Sequence, residues 1–133
     1  MIFKIKTSKK TEMLFQEMAA STNFPPFILS KLSISLSLKN SNPLKEKDFS
    51  TDGFGLELNR QTITGEWDDL YKGLIEMREG MHIDDDTYVQ KFLKAHLDRG
   101  AQLLYGEFKS NSDLLVALLK DKKTLELRSG KTI

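Results

Sequence analysis

The sequence predicts a mainly α-helical domain with short β elements: a strand-helix-helix opening, a small hairpin, then a helical body. Three observations carry this reading. Residues 2–7 alternate apolar and polar, and an apolar stripe at helical spacing follows over 11–22. Two further stripes of that kind run over 67–75 and 89–104. The chain has 133 residues, 39% of them hydrophobic, which suits one core and leaves no room for two.

In the first strand, Phe3 and Ile5 point one way and Lys4 and Lys6 the other. Thr7 or Ser8 caps the next element, with Glu12 placed to accept from its early amides. Thr11, Leu14, Phe15, Met18, Ala19 and Thr22 then form one face of a helix over about 8–23, ending near Asn23 before Pro25-Pro26. Residues 27–38 fit two patterns equally. They open like a helix behind two prolines, yet Leu32, Ile34, Leu36 and Leu38 alternate with serines at strand period. Proline in the first turn favours a helix over 26–39.

Residues 40–51 read as loop, with Pro43 and a mixed-charge run at 45–48. Asp52-Gly53 marks a turn. Phe54, Leu56 and Leu58, then Ile63, read as a small hairpin or two short extended pieces, stopped by Gly65. Trp67, Leu70, Tyr71, Leu74 and Ile75 share a helical stripe behind Glu66, Asp68 and Asp69, whose charges suit a helix start. Gly80 ends that helix and Asp84-Asp85-Asp86 caps the next. There Val89, Phe92, Leu93, His96, Leu97, Ala101 and Leu104 repeat without a break. The two helices are expected to pack on each other as core. Asp113–Lys120 reads as a last helix, Thr124–Arg128 as a terminal strand, and residues 129–133 as a disordered tail.

Net charge is only +1, but its distribution is uneven. Residues 1–47 hold eight Lys against three Glu, a balance of +5, while residues 48–133 hold twelve Lys/Arg against sixteen Asp/Glu, a balance of −4. A basic front on an acidic body can bind phosphates by releasing condensed counterions. Solvated lysines on an ordinary surface account for the same counts. The chain has no cysteine, which excludes disulfides, Fe–S clusters, thiolate zinc sites and sulfur carried on a protein thiol. No run of 18 apolar residues is present and the N-terminus lacks a signal-peptide core, so a cytoplasmic location is expected.

Catalytic signals are weak. His82 beside Asp84–Asp86 could hold a hard cation, but three aspartates at a helix start more commonly cap it. His96 lies on an apolar stripe, where a hydrogen-bonded core histidine is the ordinary outcome. Neither Asp52-Gly53-Phe54-Gly55 nor Thr64-Gly65-Glu66 is a phosphate loop, and there is no nucleophile elbow. No catalytic residue, cofactor or metal is assigned. The β-α-α order matches ribbon-helix-helix proteins, in which strands of two protomers pair and read the DNA major groove. Here Lys4 and Lys6 would face outward. The competing reading pairs residues 2–7 within the chain's own sheet, beside Thr124–Arg128.

Several stretches together resemble a known family. Lys10-Thr11 through Thr22-Asn23-Phe24-Pro25-Pro26 is similar to the opening helix and Thr-Gly-Ile-Thr-Pro segment of the bacterial DNA sulfur-modification protein family DndE. Lys31 stands where many members carry the Arg of a Cys-Arg pair, with Leu29-Ser30 in place of the cysteine. Ser35-Leu36-Ser37-Leu38 falls near an Arg-Ser-Leu stretch. Asp52-Gly53-Phe54-Gly55 and Thr64-Gly65-Glu66, followed by Leu70-Tyr71, resemble its Gly-Glu turn. Phe92 through His96-Leu97-Asp98-Arg99-Gly100 resembles its aromatic–x–x–x–His–Leu–x–Arg–Gly helix. The chain is thus one domain, 1–133, with 1–105 family-like (matched motifs from 7 onward) and 106–133 a C-terminal extension.

The resemblance implies a small helical homo-oligomer, a tetramer, without catalytic activity. It implies DNA binding, with nicked duplex a proposed target, beside a cysteine desulfurase, an Fe–S protein and an ATPase. The missing cysteine agrees with that division of labour. The lysines assigned to DNA (Lys4, Lys6, Lys9, Lys10, Lys31 and Lys39) lie outside the matched motifs and rest on charge alone. His96 and Arg99 are assigned to packing and to an Arg99–carboxylate pair, and Gly100 to a C-cap or a close helix contact.

Overall fold

A computed structural model describes residues 1–111. The expectations for 113–120, 124–128 and 129–133 lie outside the described residues. The observed order is β1 (Lys4–Lys6), α1 (Lys9–Thr22), α2 (Pro26–Lys39), a short α3 (Glu46–Phe49), β2 (Glu57–Asn59), one helical turn α4 (Arg60–Ile63), α5 (Asp68–Glu79) and α6 from residue 85 to residue 111. The class is the one the sequence predicts: mostly helical, with a two-stranded antiparallel sheet.

The first helix follows its sequence signals. Ser8 caps α1 by accepting from the Thr11 amide, and Asn23 closes it in the left-handed conformation. Residues 27–38 are helix. Pro26 sits at the first turn, and of the alternating serines Ser33 and Ser37 are buried while Ser35 is exposed; Ser30, Ser33 and Ser37 line one face with Leu29 and Ile34. Ser30 and Ser33 satisfy their hydroxyls on the carbonyls four residues back, at 2.7 Å each. The expected loop over 40–51 contains α3, fixed to α6 by an edge-to-face contact of Phe49 with Phe92 at 5.5 Å.

Of the two readings of 54–63, the hairpin does not form, and one short extended piece, β2, does. β2 pairs instead with β1, Ile5 opposite Leu58, Lys4 opposite Asn59 and Lys6 opposite Glu57. The flanking bonds extend the ladder: Arg60 N–H donates to Phe3 O at 2.8 Å and Thr7 N–H to Leu56 O at 2.8 Å. Ile5 is buried beneath this pair, while Phe3, expected on its face, is 63% exposed. Of the two readings of the first strand, pairing within its own chain is the one observed, with β2 as the partner. Ile63, expected at the end of the hairpin, is buried on α4.

The helix α6 is the axis of the fold. It starts at Asp84, whose carboxylate accepts from Thr87 N–H. It widens into a π-helical stretch over Tyr88–Leu93 and regains α geometry from residue 94. Tyr88, Val89, Phe92, Leu93, Ala95, His96, Leu97, Asp98 and Ala101 are all buried, so the helix is covered on every side rather than along a single stripe. Ile5, Phe15, Met18, Leu29, Ile34, Ile63 and Ile75 pack in the same core. The contact with α2 is the closest. A Cβ built on Gly100 would stand 1.7 Å from the Ser33 carbonyl oxygen, so Gly100 is the close helix contact and not a C-cap. Gly55 meets Ser8 O in the same way, at 2.1 Å.

An ion-pair hub ties the sheet to the helical body. The Arg60 guanidinium reaches Asp68 Oδ2 and Asp85 Oδ1 at 2.6 Å each and Ile2 O at 2.9 Å, and it lies over the Tyr88 ring. Asp68 also accepts from Thr64 and Tyr88. Burial alone would raise the Asp68 carboxyl, but Arg60 and Thr64 hold it below the usual range. Arg60 does the same for Asp85. Replacing Arg60 with Ala strands two carboxylates in a half-buried site. Arg60→Ala should cost on the order of 2–4 kcal/mol, read as a lower urea midpoint. A variant within about 0.5 kcal/mol of the parent would show that the pairs are solvent-screened.

Candidate nucleic-acid interface

All six lysines assigned from charge are exposed. Lys4 and Lys6 stand on the outer face of the β1–β2 ribbon, where Asn59 and Glu57 are their cross-strand neighbours. Lys6 therefore shares its face with a carboxylate. Lys9 and Lys10 follow in the first turn of α1, and Lys9 is ion-paired with Glu12. Lys31 and Lys39 belong to α2, with Lys31 5.7 Å from the Phe27 ring centroid and Lys39 in the last turn. The first four thus occupy one continuous β1–α1 segment, and the other two a separate element. Among the described residues, Lys9 is the only one of the six with a carboxylate partner.

That β1–α1 segment is held from below by Asp98, a residue the sequence reading left unassigned. Asp98 is 1% exposed. Its Oδ1 accepts from Ser8 N–H at 3.0 Å and Thr11 Oγ1 at 2.7 Å, and its Oδ2 from Thr51 Oγ1 and Lys94 Nζ at 2.7 Å each. Asp52 adds an acceptor for Lys9 N–H at 2.8 Å. The Ser8, Lys9 and Thr11 amides at the start of α1 are thus taken by the protein's own oxygens, so an approaching phosphate meets chiefly lysine side chains there.

The other candidate groups are placed differently. His82 is 84% exposed at its side chain and paired with Glu76 at 2.8 Å. Asp84 is occupied as a helix cap and Asp85 by Arg60, and no metal-holding group of His, Asp or Glu occurs among the described residues. The expected Trp67–Ile75 core stripe is corrected. Ile75 is buried, but Trp67 is 60%, Leu70 55% and Leu74 44% exposed. The wall of α6 is already filled by α2, α3 and the sheet, so α5 contributes only one edge of its stripe to the core. Met77 adds to this outward apolar face.

His96 and Arg99 meet on Ser37, across from α6. Arg99 Nε donates to Ser37 Oγ at 2.9 Å, and guanidinium N–H groups are obligate donors. Ser37 Oγ also lies 2.8 Å from His96 Nδ1, in a hydrogen bond whose donor follows the imidazole tautomer. The other ring nitrogen, Nε2, is buried without a partner among the described residues. Burial, with Arg99 and Arg78 nearby, pushes the imidazole down to about 3. Arg99 also donates to Ser37 O at 2.7 Å and Asn42 O at 2.8 Å. The expected Arg99–carboxylate pair is absent among the described residues; carbonyl and hydroxyl oxygens take its place. A serine, a histidine and an arginine in contact invite a catalytic reading, but Ser37 and His96 are fully buried, so no substrate atom can approach them.

A family model for "DNA sulphur modification protein DndE" matches residues 4–112. The chain belongs to the DndE family. No curated protein matches it by sequence. Its fold is similar to the crystal structure of DndE from Escherichia coli B7A, involved in DNA phosphorothioation modification, with TM-score 0.62 and 19% identity over 76% of this chain and 96% of that one. A DndE G21/24K mutant, also described as involved in DNA phosphorothioation, matches with TM-score 0.62 and 18% identity, covering 78% and 98%. At these identities the structures establish a shared DndE fold, and the family model carries the membership. No helix among the described residues is long and apolar enough to cross a membrane.

Proposed function

We propose that this DndE-family chain is a non-catalytic DNA-binding subunit of the DNA sulfur-modification machinery, holding duplex DNA, nicked duplex included, through lysines presented by β1, α1 and α2. The observation that carries this reading is the exposure of Lys4, Lys6, Lys9 and Lys10 on one short segment anchored to α6 by Asp98. A single protomer of net charge +1 would grip a polyanion weakly, so the reading includes homo-oligomerisation as a tetramer, which repeats the segment around the particle. The desulfurase, Fe–S protein and ATPase of the pathway are its expected neighbours.

The test is duplex binding across a salt series, with particle mass measured in parallel. Affinity should fall steeply as salt rises, because each neutralised phosphate releases a counterion. Changing Lys4, Lys6, Lys9 and Lys10 together to Glu should weaken duplex binding by on the order of 10³-fold, with the oligomer mass unchanged. Binding that survives the quadruple change would reject these sites. A second reading, an adaptor without DNA contact, is favoured by the exposed face of Trp67, Leu70, Leu74 and Met77 on α5. Co-purification with pathway subunits, together with no salt-sensitive duplex binding, would select it.

A further inference from the structure

A cavity of about 310 Å³ opens between the loop after α2, the start of α3 and the flank of α6. Asn42, Lys45, Lys47, Asp48, Arg99 and Gln102 are among its lining residues. None belongs to the six lysines assigned to DNA. The wall carries three cations and one carboxylate. That carboxylate, Asp48, is engaged by the backbone, accepting from Lys45 N–H at 2.8 Å.

Arg99 is the fixed part of this wall. A guanidinium has five N–H donors. Arg99 uses three, on Ser37 Oγ, Ser37 O and Asn42 O, and every acceptor is neutral. Two donors remain on a side chain already held in position. Arg78 braces the same loop from behind, donating to Leu38 O at 2.6 Å and to Asn42 O at 2.7 Å. Two guanidinium groups therefore converge on Asn42 O, and neither has a carboxylate partner among the described residues. Burial and Arg78 push Arg99 below its ordinary value, and the nearby Asp48 carboxylate opposes them only in part. Lys45 and Lys47 have no ion-pair partner among the described residues either.

We infer that this cavity is a phosphate site, with Arg99 as its rigid floor and Lys45 and Lys47 as a mobile rim. A tetrahedral oxyanion can take the two remaining Arg99 donors, one on each terminal nitrogen, and an ammonium on each remaining oxygen. The Asn42 loop, stitched by both arginines, needs no rearrangement to receive it. The inference stands whether or not the lysines of β1 and α1 touch DNA, because no residue is shared.

The experiment titrates the full chain with inorganic phosphate and follows backbone amide and Arg Nε–H resonances by NMR. Saturable shifts at Arg99 Nε–H and at the Asn42, Lys45 and Gln102 amides are expected. The double variant K45Q/K47Q leaves the Arg99 bonds intact and should keep the parent's thermal midpoint while weakening phosphate binding at least tenfold. Non-saturating shifts, or equal binding by the double variant, would overturn the inference. A second titration adds a short duplex to the phosphate-loaded protein. Displacement of phosphate identifies the natural occupant as a nucleic-acid phosphate. Retention of phosphate identifies it as a small phosphorylated molecule. Quadruple substitution of Lys4, Lys6, Lys9 and Lys10 should leave the phosphate titration unchanged, which separates this site from the DNA-binding reading.

Discussion

Gly100→Ala should destabilise the protein by at least about 3 kcal/mol, more than a typical core substitution. The reason is local. The added methyl would lie 1.7 Å from Ser33 O and 2.3 Å from Ser33 C, both backbone atoms of α2 that no rotamer change can move. Relief requires α2 to lift away from α6. That would break the Ser37–His96 and Arg99–Ser37 bonds and open the core around Leu29 and Ile34. Gly73→Ala is the control. Gly73 sits in the interior of α5 with nothing near the position of a Cβ, so alanine there should add about 0.5–1 kcal/mol through helix propensity. Paired denaturant titrations read both. Equal midpoints for Gly100→Ala and the parent would mean that the two helices are not in backbone contact.

The second large effect is on pH. His96 is neutral when folded, with its pKa driven down to about 3, whereas in the unfolded chain it titrates near 6.5. Between these values the unfolded state binds a proton that the folded state refuses. Stability is therefore fully present above about pH 6.5 and falls as pH drops towards 3, by up to about 1.4 kcal/mol per unit. Asp68 and Asp85, held low by Arg60, add losses of the same sign, but only below the ordinary aspartate value of 3.8. The interval from about pH 6.5 to 4 therefore isolates His96 from these two. Urea titrations at pH 7, 6, 5 and 4 should trace the decline, and His96→Gln should flatten it whatever it costs at neutral pH. A parent protein whose stability stayed level from pH 7 to 4 would contradict the buried neutral imidazole.

The sequence made the helices legible where the apolar stripe and the caps agreed, as at Ser8–Asn23 and in α6. It failed where a residue's partner lay far along the chain. Leu56 and Leu58 alternate like a hairpin arm, and only the distant Phe3–Thr7 backbone reveals what they pair with. Ser33, Ser35 and Ser37 read as strand alternation because serine is usually solvent-facing. The spacing of three and four from Ser30 to Ser33 to Ser37 was the missed sign of a small-residue face. The α5 stripe was read as core because periodicity reports that a helix has an apolar side, not whether that side finds a partner. Of the site, lysine exposure was legible from composition. The Asp98 anchor and the bonding of Arg99 to neutral oxygens were not, since each depends on contacts spanning more than fifty residues.

The central placement of α6 has a consequence for how the protein comes into being. Asp98 bonds to Ser8, ninety positions earlier, and His96 to Ser37, fifty-nine earlier. A nascent chain released as far as α5 has made its first two helices but lacks the post around which they close. It must wait, with Phe15, Met18 and Ile34 uncovered, until about a hundred residues have left the ribosome. Ribosome-bound intermediates shorter than that should be protease-sensitive throughout, and protection should arrive in one step once α6 emerges.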